Sequence, residues 1–246
     1  MGNIFYGCSS LTSIDVSNFN TENVKNMGSM FKNCYKLISI NVNNFNTNKV
    51  NNMEYMFYYC SSLTSIDVSH FNTENVQNMH NMFCDCSNLI SINVKNFDTS
   101  MVTNMSNMFY HCSLLTSIDV SNFNTEKVEI MYGMFEDCSK LISINLKSFN
   151  TSKATLMQSI FRGCSSLTSI DVSNFNFKNA RFMDSMFYYC PSLQYLDISS
   201  FTTKQQNISL FDHPLNSSIQ GKILIKKEFY DIIFRLIPTN WEIIFK

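Results

Sequence analysis

Apolar residues recur along this chain in a fixed register. Cys8, Cys34, Cys60, Cys86, Cys112, Cys138, Cys164 and Cys190 are each 26 residues apart, and the other apolar positions keep the same spacing. Three residues after each cysteine stands a leucine, from Leu11 to Leu193, followed by Ile14, Val16 and Phe19 or their equivalents. The frame is Leu-x-x-Ile-x-Val-x-x-Phe, in eight 26-residue units over residues 1–205. A period of this length marks a repeat architecture, because one unit cannot bury its own apolar surface and must stack on its neighbours.

Each unit has two halves with different internal periods. Ser13-Ile14-Asp15-Val16-Ser17 alternates polar and apolar residues with β-branched side chains facing inward, which predicts a short strand. In the other half Val24, Met27, Met30, Phe31 and Cys34 are three or four apart. That spacing predicts an apolar stripe on a short helix or 3₁₀ segment, with Thr21 as N-cap and Glu22 in the first turn. The expected fold class is therefore an α/β repeat. It is a leucine-rich-repeat solenoid with a parallel β-sheet on one face and short helical segments on the other.

A longer period overlies the first. Odd units run Leu-Thr-Ser-Ile-Asp and even units Leu-Ile-Ser-Ile-Asn, so the true period is 52 residues. Aspartates on adjacent strands, roughly 4.8 Å apart, would repel each other. The series Asp15, Asn41, Asp67, Asn93, Asp119, Asn145, Asp171 avoids that contact, and only Asp171 and Asp197 adjoin. After Gln206 the register is lost, and residues 206–246 have the pattern of a C-terminal cap. There Gly221–Ile225 predicts a strand, Phe229, Ile232, Ile233 and Leu236 a helix, and Trp241–Phe245 a second strand beyond a Pro238-Thr239-Asn240 turn.

The unit beginning at Met56, Met-Phe-x-x-Cys-Ser-Ser-Leu-Thr-Ser-Ile-Asp-Val-Ser-x-Phe-Asn-Thr, closely resembles those of the BspA-like leucine-rich-repeat surface proteins. The resemblance covers residues 1–205 and extends to the strand, helix and tryptophan of the cap. It implies a cell-surface or extracellular location and a part in adhesion, and it brings no catalytic residues. One departure concerns the asparagine of the general leucine-rich-repeat consensus, which is phenylalanine here at Phe19, Phe45 and Phe71. The backbone ladder that asparagine would satisfy must then be built differently.

Composition narrows the function. A chain that is 45% hydrophobic and 14% aromatic can bury a core. Eighteen basic against nineteen acidic residues, without a basic stripe, argue against a nucleic-acid partner. The lack of a long apolar run argues against membrane insertion. Met1 to Tyr6 has neither the basic nor the apolar region of a signal peptide, and no anchor is evident. Met1 occupies the slot of Met27, Met53, Met79 and Met105, so the chain begins within a unit. That start leads to the expectation of further units upstream or of self-association through the N-terminal rung.

Catalytic and metal chemistry find little support. No Cys-x-x-Cys pair or Cys/His cluster with zinc spacing occurs, so no metal and no cofactor is expected and the cysteines are expected to be buried free thiols. Cys84 shares a column with Tyr6, Lys32, Tyr58, Tyr110, Glu136, Arg162 and Tyr188 that is expected to face solvent, which would expose its thiol. His70, His80, His111 and His213 stand at unrelated repeat positions, so no triad recurs and an enzyme is not expected. Carboxylates two rungs apart, roughly 9.6 Å, cannot share one calcium ion, which rules against such a site at Asp67, Asp119 and Asp171.

The outward strand positions remain as the candidate ligand-binding surface. They are Ser65, Asp67 and Ser69, then Ser91, Asn93 and Lys95, then Ser117, Asp119 and Ser121. Such small polar residues, without Tyr, Trp or Arg anchors, suit weak, multivalent or glycan-like contact. Tyr55, Tyr58 and Tyr59 are candidate secondary anchors, with Tyr188 and Tyr189 as a similar pair. The expected function is a non-enzymatic binding or adhesion module that presents a repetitive polar concave sheet to a protein or glycan partner at a cell surface. The alternatives are an intracellular protein-interaction scaffold and a fragment of a longer repeat protein.

Overall fold

A computed structural model describes residues 1–201, 209–211 and 215–246. The 205/206 boundary of the repeat region and His213 lie outside the described residues. Each 26-residue unit forms one rung, and its backbone is bonded to the next rung along two flanks. On the strand flank, the residue after the leucine donates to its equivalent one rung back: Ile38 N–H to the Thr12 carbonyl, Thr64 to Ile38 and Ile90 to Thr64, at 3.1–3.2 Å. On the opposite flank a row of parallel bridges runs through Asn26, Asn52, Asn78, Asn104, Ile130, Leu156 and Phe182.

The strands are parallel and very short. β1 (Ser65–Ile66) pairs with β2 (Ser91–Ile92), and β3 (Ser169–Asp171) pairs with β4 (Tyr195–Asp197). What ends each strand is the Asp/Asn column. Asp67 Oδ1 accepts the Ser69 N–H at 3.0 Å and Asn93 Oδ1 accepts the Lys95 N–H at 3.2 Å, closing turns that take those donors out of the ladder.

The helical half-unit expected from the three-and-four spacing is absent: among the described residues of the repeats, chained turns stand in its place. Alternate N–H groups point in different directions. Met27, Ser29, Phe31 and Asn33 donate onward to the carbonyls of Asn52, Glu54, Met56 and Tyr58 at 2.8–3.0 Å, while Met30, Lys32 and Cys34 donate three residues back. An α-helix would turn every donor inward along its own axis, leaving none for the neighbouring rung. The turns in return need φ > 0 at two sites in every rung, such as Ser29 and Asn33, or Gly133 and Asp137. Asn, Ser, Asp and Gly fit these sites and depress helix propensity, so composition and backbone agree.

Thr21 is likewise no N-cap. Its hydroxyl is buried, donates to the Asn46 carbonyl at 3.1 Å and accepts the Asn46 N–H at 2.7 Å. Thr47, Thr99, Thr125 and Thr151 bridge to the following rung in the same two-way fashion. The asparagine missing from the consensus position is supplied one residue earlier. Asn44 Nδ2 donates to the Val16 carbonyl at 2.9 Å, and Asn122 and Asn174 donate to the Phe97 and Phe149 carbonyls at 2.8 and 2.7 Å.

Apolar columns fill the space between the flanks. Phe5, Phe31, Phe57, Phe83, Phe109, Phe135, Phe161 and Phe187 stack ring on ring, with centroids 5.3–6.1 Å apart and planes within 10°. These are the offset parallel pairs that aromatic quadrupoles favour. Beside them each cysteine of the 26-residue column from Cys34 to Cys190 donates its S–H to the phenylalanine carbonyl one rung back, as Cys60 does to Phe31 and Cys86 to Phe57 at 3.2 Å. In the first rung Phe5, Leu11, Ile14 and Phe19 are half-buried, whereas Phe31, Leu37, Ile40 and Phe45 in the second are buried.

The C-terminal segment continues the ladder. β5 (Lys222–Ile225) pairs with β4 and β6 (Glu242–Phe245) pairs with β5, both parallel, giving the order β3-β4-β5-β6. Between them α1 (Lys227–Ile233) and a 3₁₀ turn (Phe234–Leu236) supply the only helical residues among those described. Phe229 of α1 covers the core by stacking on Phe201 at 5.2 Å. The adjacent pair Asp171 and Asp197 is tolerated because Asp197, buried in β4, meets Lys246 Nζ at 2.9 Å.

Two measurements test this architecture. Thr99→Val keeps the side-chain shape but strands the Asn124 N–H and carbonyl, and should lower stability by about 1–3 kcal/mol. Ser100→Ala, at a half-buried hydroxyl with no inter-rung bridge, is the control, and equal urea midpoints for the two variants would refute the bridging role. The second concerns acid. Burial raises the Asp197 pKa, but the Ser199 bonds and Lys246 outweigh it and hold the carboxyl below its ordinary value. Its contribution to stability is therefore present above the unfolded pKa of about 4 and is lost as pH falls below it. Lys246→Ala should shift the acid-unfolding midpoint to higher pH, and an unchanged midpoint would remove the ion pair from the account.

Candidate binding surface

The structure brings the predicted strand residues onto one face. Ser65 lies opposite Ser91 in the β1–β2 register, and Ser65, Asp67, Ser91, Asn93, Lys95, Ser117 and Ser121 are exposed, with Ser69 and Asp119 half-buried. The face is fixed by its own hydrogen bonds. Ser69 Oγ donates to Asp67 Oδ1 at 2.7 Å and Ser121 Oγ to Asp119 Oδ1 at 2.6 Å, while Lys95 Nζ reaches Asp119 Oδ2 on the adjoining rung at 3.3 Å. The serine hydroxyls and N–H groups hold Asp15, Asp67 and Asp119 below the usual carboxylate range, so all three are charged at neutral pH.

Sequence reasoning missed one component of this face. Ile38, Ile90 and Ile142 point outward and are 52%, 54% and 53% exposed. They occupy the position after the core leucine, where odd rungs carry Thr64, Thr116 and Thr168. That alternation was the available signal, since a site that accepts threonine in every second rung is not a core site.

The tyrosines form a second patch, on the turn flank. Tyr58 touches both Tyr55 and Tyr59, with ring centroids 5.4 Å apart for Tyr55–Tyr58 and 5.3 Å for Tyr58–Tyr59. Tyr35 adds an edge contact to Tyr59 at 5.6 Å, and both of these rings are 40% exposed. Lys32 Nζ sits 3.9 Å from the centre of the Tyr55 ring and 4.9 Å from that of Tyr58, in cation–π geometry. Burial raises the pKa of Tyr55 and pushes Tyr58 up to about 12, so both stay protonated. Tyr55 and Tyr59 hold the two φ > 0 positions of their rung, conformations that bulky residues rarely adopt. Tyr188 and Tyr189 stand at 6.4 Å from each other in the eighth rung.

Cys84 does not face solvent. It is 3% exposed, and burial raises its pKa, as does the Asp85 carboxylate to which its thiol donates at 3.3 Å. In its column Tyr6 and Arg162 are exposed, whereas Lys32, Tyr58, Tyr110, Glu136 and Tyr188 are half-buried. The larger neighbours close over the smaller cysteine. Stacking also creates contacts between residues 26 apart that a search within single units overlooks. His111 Nδ1 meets Asp85 Oδ1 at 2.8 Å, and His80 Nδ1 meets Ser106 Oγ at 2.6 Å. Ser106 is fully buried and also donates to Asn104 Oδ1, which seals its hydroxyl from any substrate. Burial lowers the His80 pKa, outweighing the Ser106 carbonyl and Glu54.

Among the described residues, no group of three or more His, Cys, Asp or Glu side chains is placed to hold a metal ion, and no helix is long and apolar enough to cross a membrane. A cleft between the last rung and the cap, lined by Cys190, Phe211 and Leu215 among others, measures ≈ 110 Å³.

The family described as "Mycoplasma protein of unknown function, DUF285" matches the chain three times in overlapping stretches, at residues 1–117, 59–159 and 115–214. No curated protein matches it. Overlapping matches of one family at shifted positions are what a repeat sequence produces, and they agree with the stacked rungs.

Burial makes the thiols testable. Cys8 is half-buried and the other eight cysteines, Cys84 included, are buried. Burial pushes Cys138 and Cys190 up to about 12, which suppresses the reactive thiolate. In native protein an aromatic disulfide reagent should therefore modify Cys8 alone on the minute timescale, with all nine thiols released by denaturant. A second fast thiol that disappears in Cys84→Ser would restore the exposed-thiol reading.

Proposed function

We propose, for a chain that belongs to the DUF285 family, that the stacked rungs form a leucine-rich-repeat solenoid of the BspA-like type and that its strand face is a non-enzymatic binding surface. The partner is a protein or a glycan at a cell surface. One observation carries this reading: the same outward strand positions recur on successive rungs, polar, exposed and held in place by turns of their own. Groups fixed in this way lose little freedom on binding. Equal contacts repeated along the stack add through effective concentration, so weak single contacts give useful avidity. The tyrosine patch on the turn flank serves as a secondary anchor in this reading.

An array of glycans and extracellular-matrix proteins tests it. Replacing Asp67, Asn93 and Asp119 together by lysine should weaken binding more than about tenfold, while the chain still unfolds cooperatively in urea, at a midpoint lowered only by the turn bonds those side chains close. Tyr58→Ala with Tyr59→Ala should leave most of the binding in place. The opposite pattern, with the lysine variant binding normally and the tyrosine variant silent, would move the site to the turn flank.

A further inference from the structure

The 52-residue period has no counterpart in the core. Third and fourth rungs place the same residues at the same inward positions: Leu63 and Leu89, Ile66 and Ile92, Val68 and Val94, Phe71 and Phe97. The two rungs differ on the strand face, where Thr64, Asp67 and Ser69 alternate with Ile90, Asn93 and Lys95. Repulsion between neighbouring carboxylates accounts for Asp alternating with Asn. It gives no reason for threonine to alternate with an isoleucine that is half in water.

We infer that the strand face docks on the strand face of a second copy of this chain, antiparallel, with odd rungs against even ones. The inference rests on the strand face being the binding surface and names its partner. Ile38, Ile90 and Ile142 are knobs two strand spacings apart, roughly 9.6 Å, and the threonines between them leave gaps one rung wide. A copy whose rungs run the other way, centred between the fourth and fifth rungs, fills each gap with a knob. Ile90 then meets Thr116 of the second copy, Ile142 meets its Thr64, and Ile38 meets its Thr168.

Charge complementarity agrees with this register. Lys147, on the sixth rung, and Asp67, on the third, are both exposed, and neither has an ion-pair partner among the described residues of its own chain. The antiparallel register sets the sixth rung of one copy on the third of the other and so brings these two charges together, twice by symmetry. Their positions along the strand are within reach of each other. Lys95 and Asp119 occupy the same two positions on adjoining rungs and meet at 3.3 Å.

Sedimentation velocity over a hundredfold range of concentration, on the whole chain, decides the matter. The wild type should self-associate reversibly, and Ile90→Ser should weaken it. Lys147→Glu alone and Asp67→Lys alone should each weaken association by more than about tenfold, with the urea midpoint unchanged in the first and lowered in the second only by the lost Ser69 turn bonds. Mixing the two single variants should restore association to within about threefold of the wild type, because each pair is then opposite in charge again. A monomeric wild type, or a mixture no tighter than the single variants, would overturn the inference. If the wild type is monomeric while the strand-face lysine variant still loses its array signal, the binding face stands and its partner is another molecule. If both signals are indifferent to the strand face, both readings fall together.

Discussion

A rung in this protein can be packed only on a near copy of itself. Residues 26 apart are neighbours, so whatever stands at a position meets its own kind above and below, and each column must be compatible with itself. Phenylalanine satisfies this by offset stacking. Threonine does so because its hydroxyl both donates and accepts, and can insert itself into a backbone pair without leaving a group unsatisfied. Cysteine presents a weak donor to a carbonyl of the preceding rung. A carboxylate fails the same test, which is why aspartate alternates with asparagine and why the one adjacent pair, Asp171 and Asp197, occurs where Lys246 is at hand.

This rule decides what could be deduced from sequence. The columns of Leu, Ile, Val, Phe and Cys are visible as a 26-residue period, and so are the strand positions, the outward polar face and the three elements of the cap. The turns were not visible, because a spacing of three and four is common to a helix and to chained turns with three-residue closures. Only the left-handed sites separate the two, and those are signalled weakly, by Asn, Ser and Gly in a column that also accepts Tyr and His. Cys84 is hidden for a related reason: the polar members of its column point to solvent, whereas burial there depends on how far the neighbouring tyrosines reach. The site residues are legible as positions on a face; the outward isoleucines are not singled out, since the 26-residue frame leaves the position after the leucine unassigned.

The turn flank explains how so polar a chain builds a tight stack. Asparagine and serine side chains serve as local turn formers, as left-handed residues and as inter-rung donors within the same unit. Charged residues, with longer and more strongly hydrated side chains, fit none of these roles as well, which accords with a chain only 15% charged. Stability is consequently distributed along the stack as a sum of like interfaces.

The direction of the hydrogen bonds between rungs has a mechanical consequence. They run along the stack, so tension applied between its two ends loads them lengthwise and opens one interface at a time, as a zipper parts, in place of shearing many interfaces at once. Each rung that comes free pays out 26 residues of chain, about 90 Å when extended. Under load the molecule would lengthen in nearly equal steps at modest force and dissipate work at each one, a yielding tether whose step size is its sequence period.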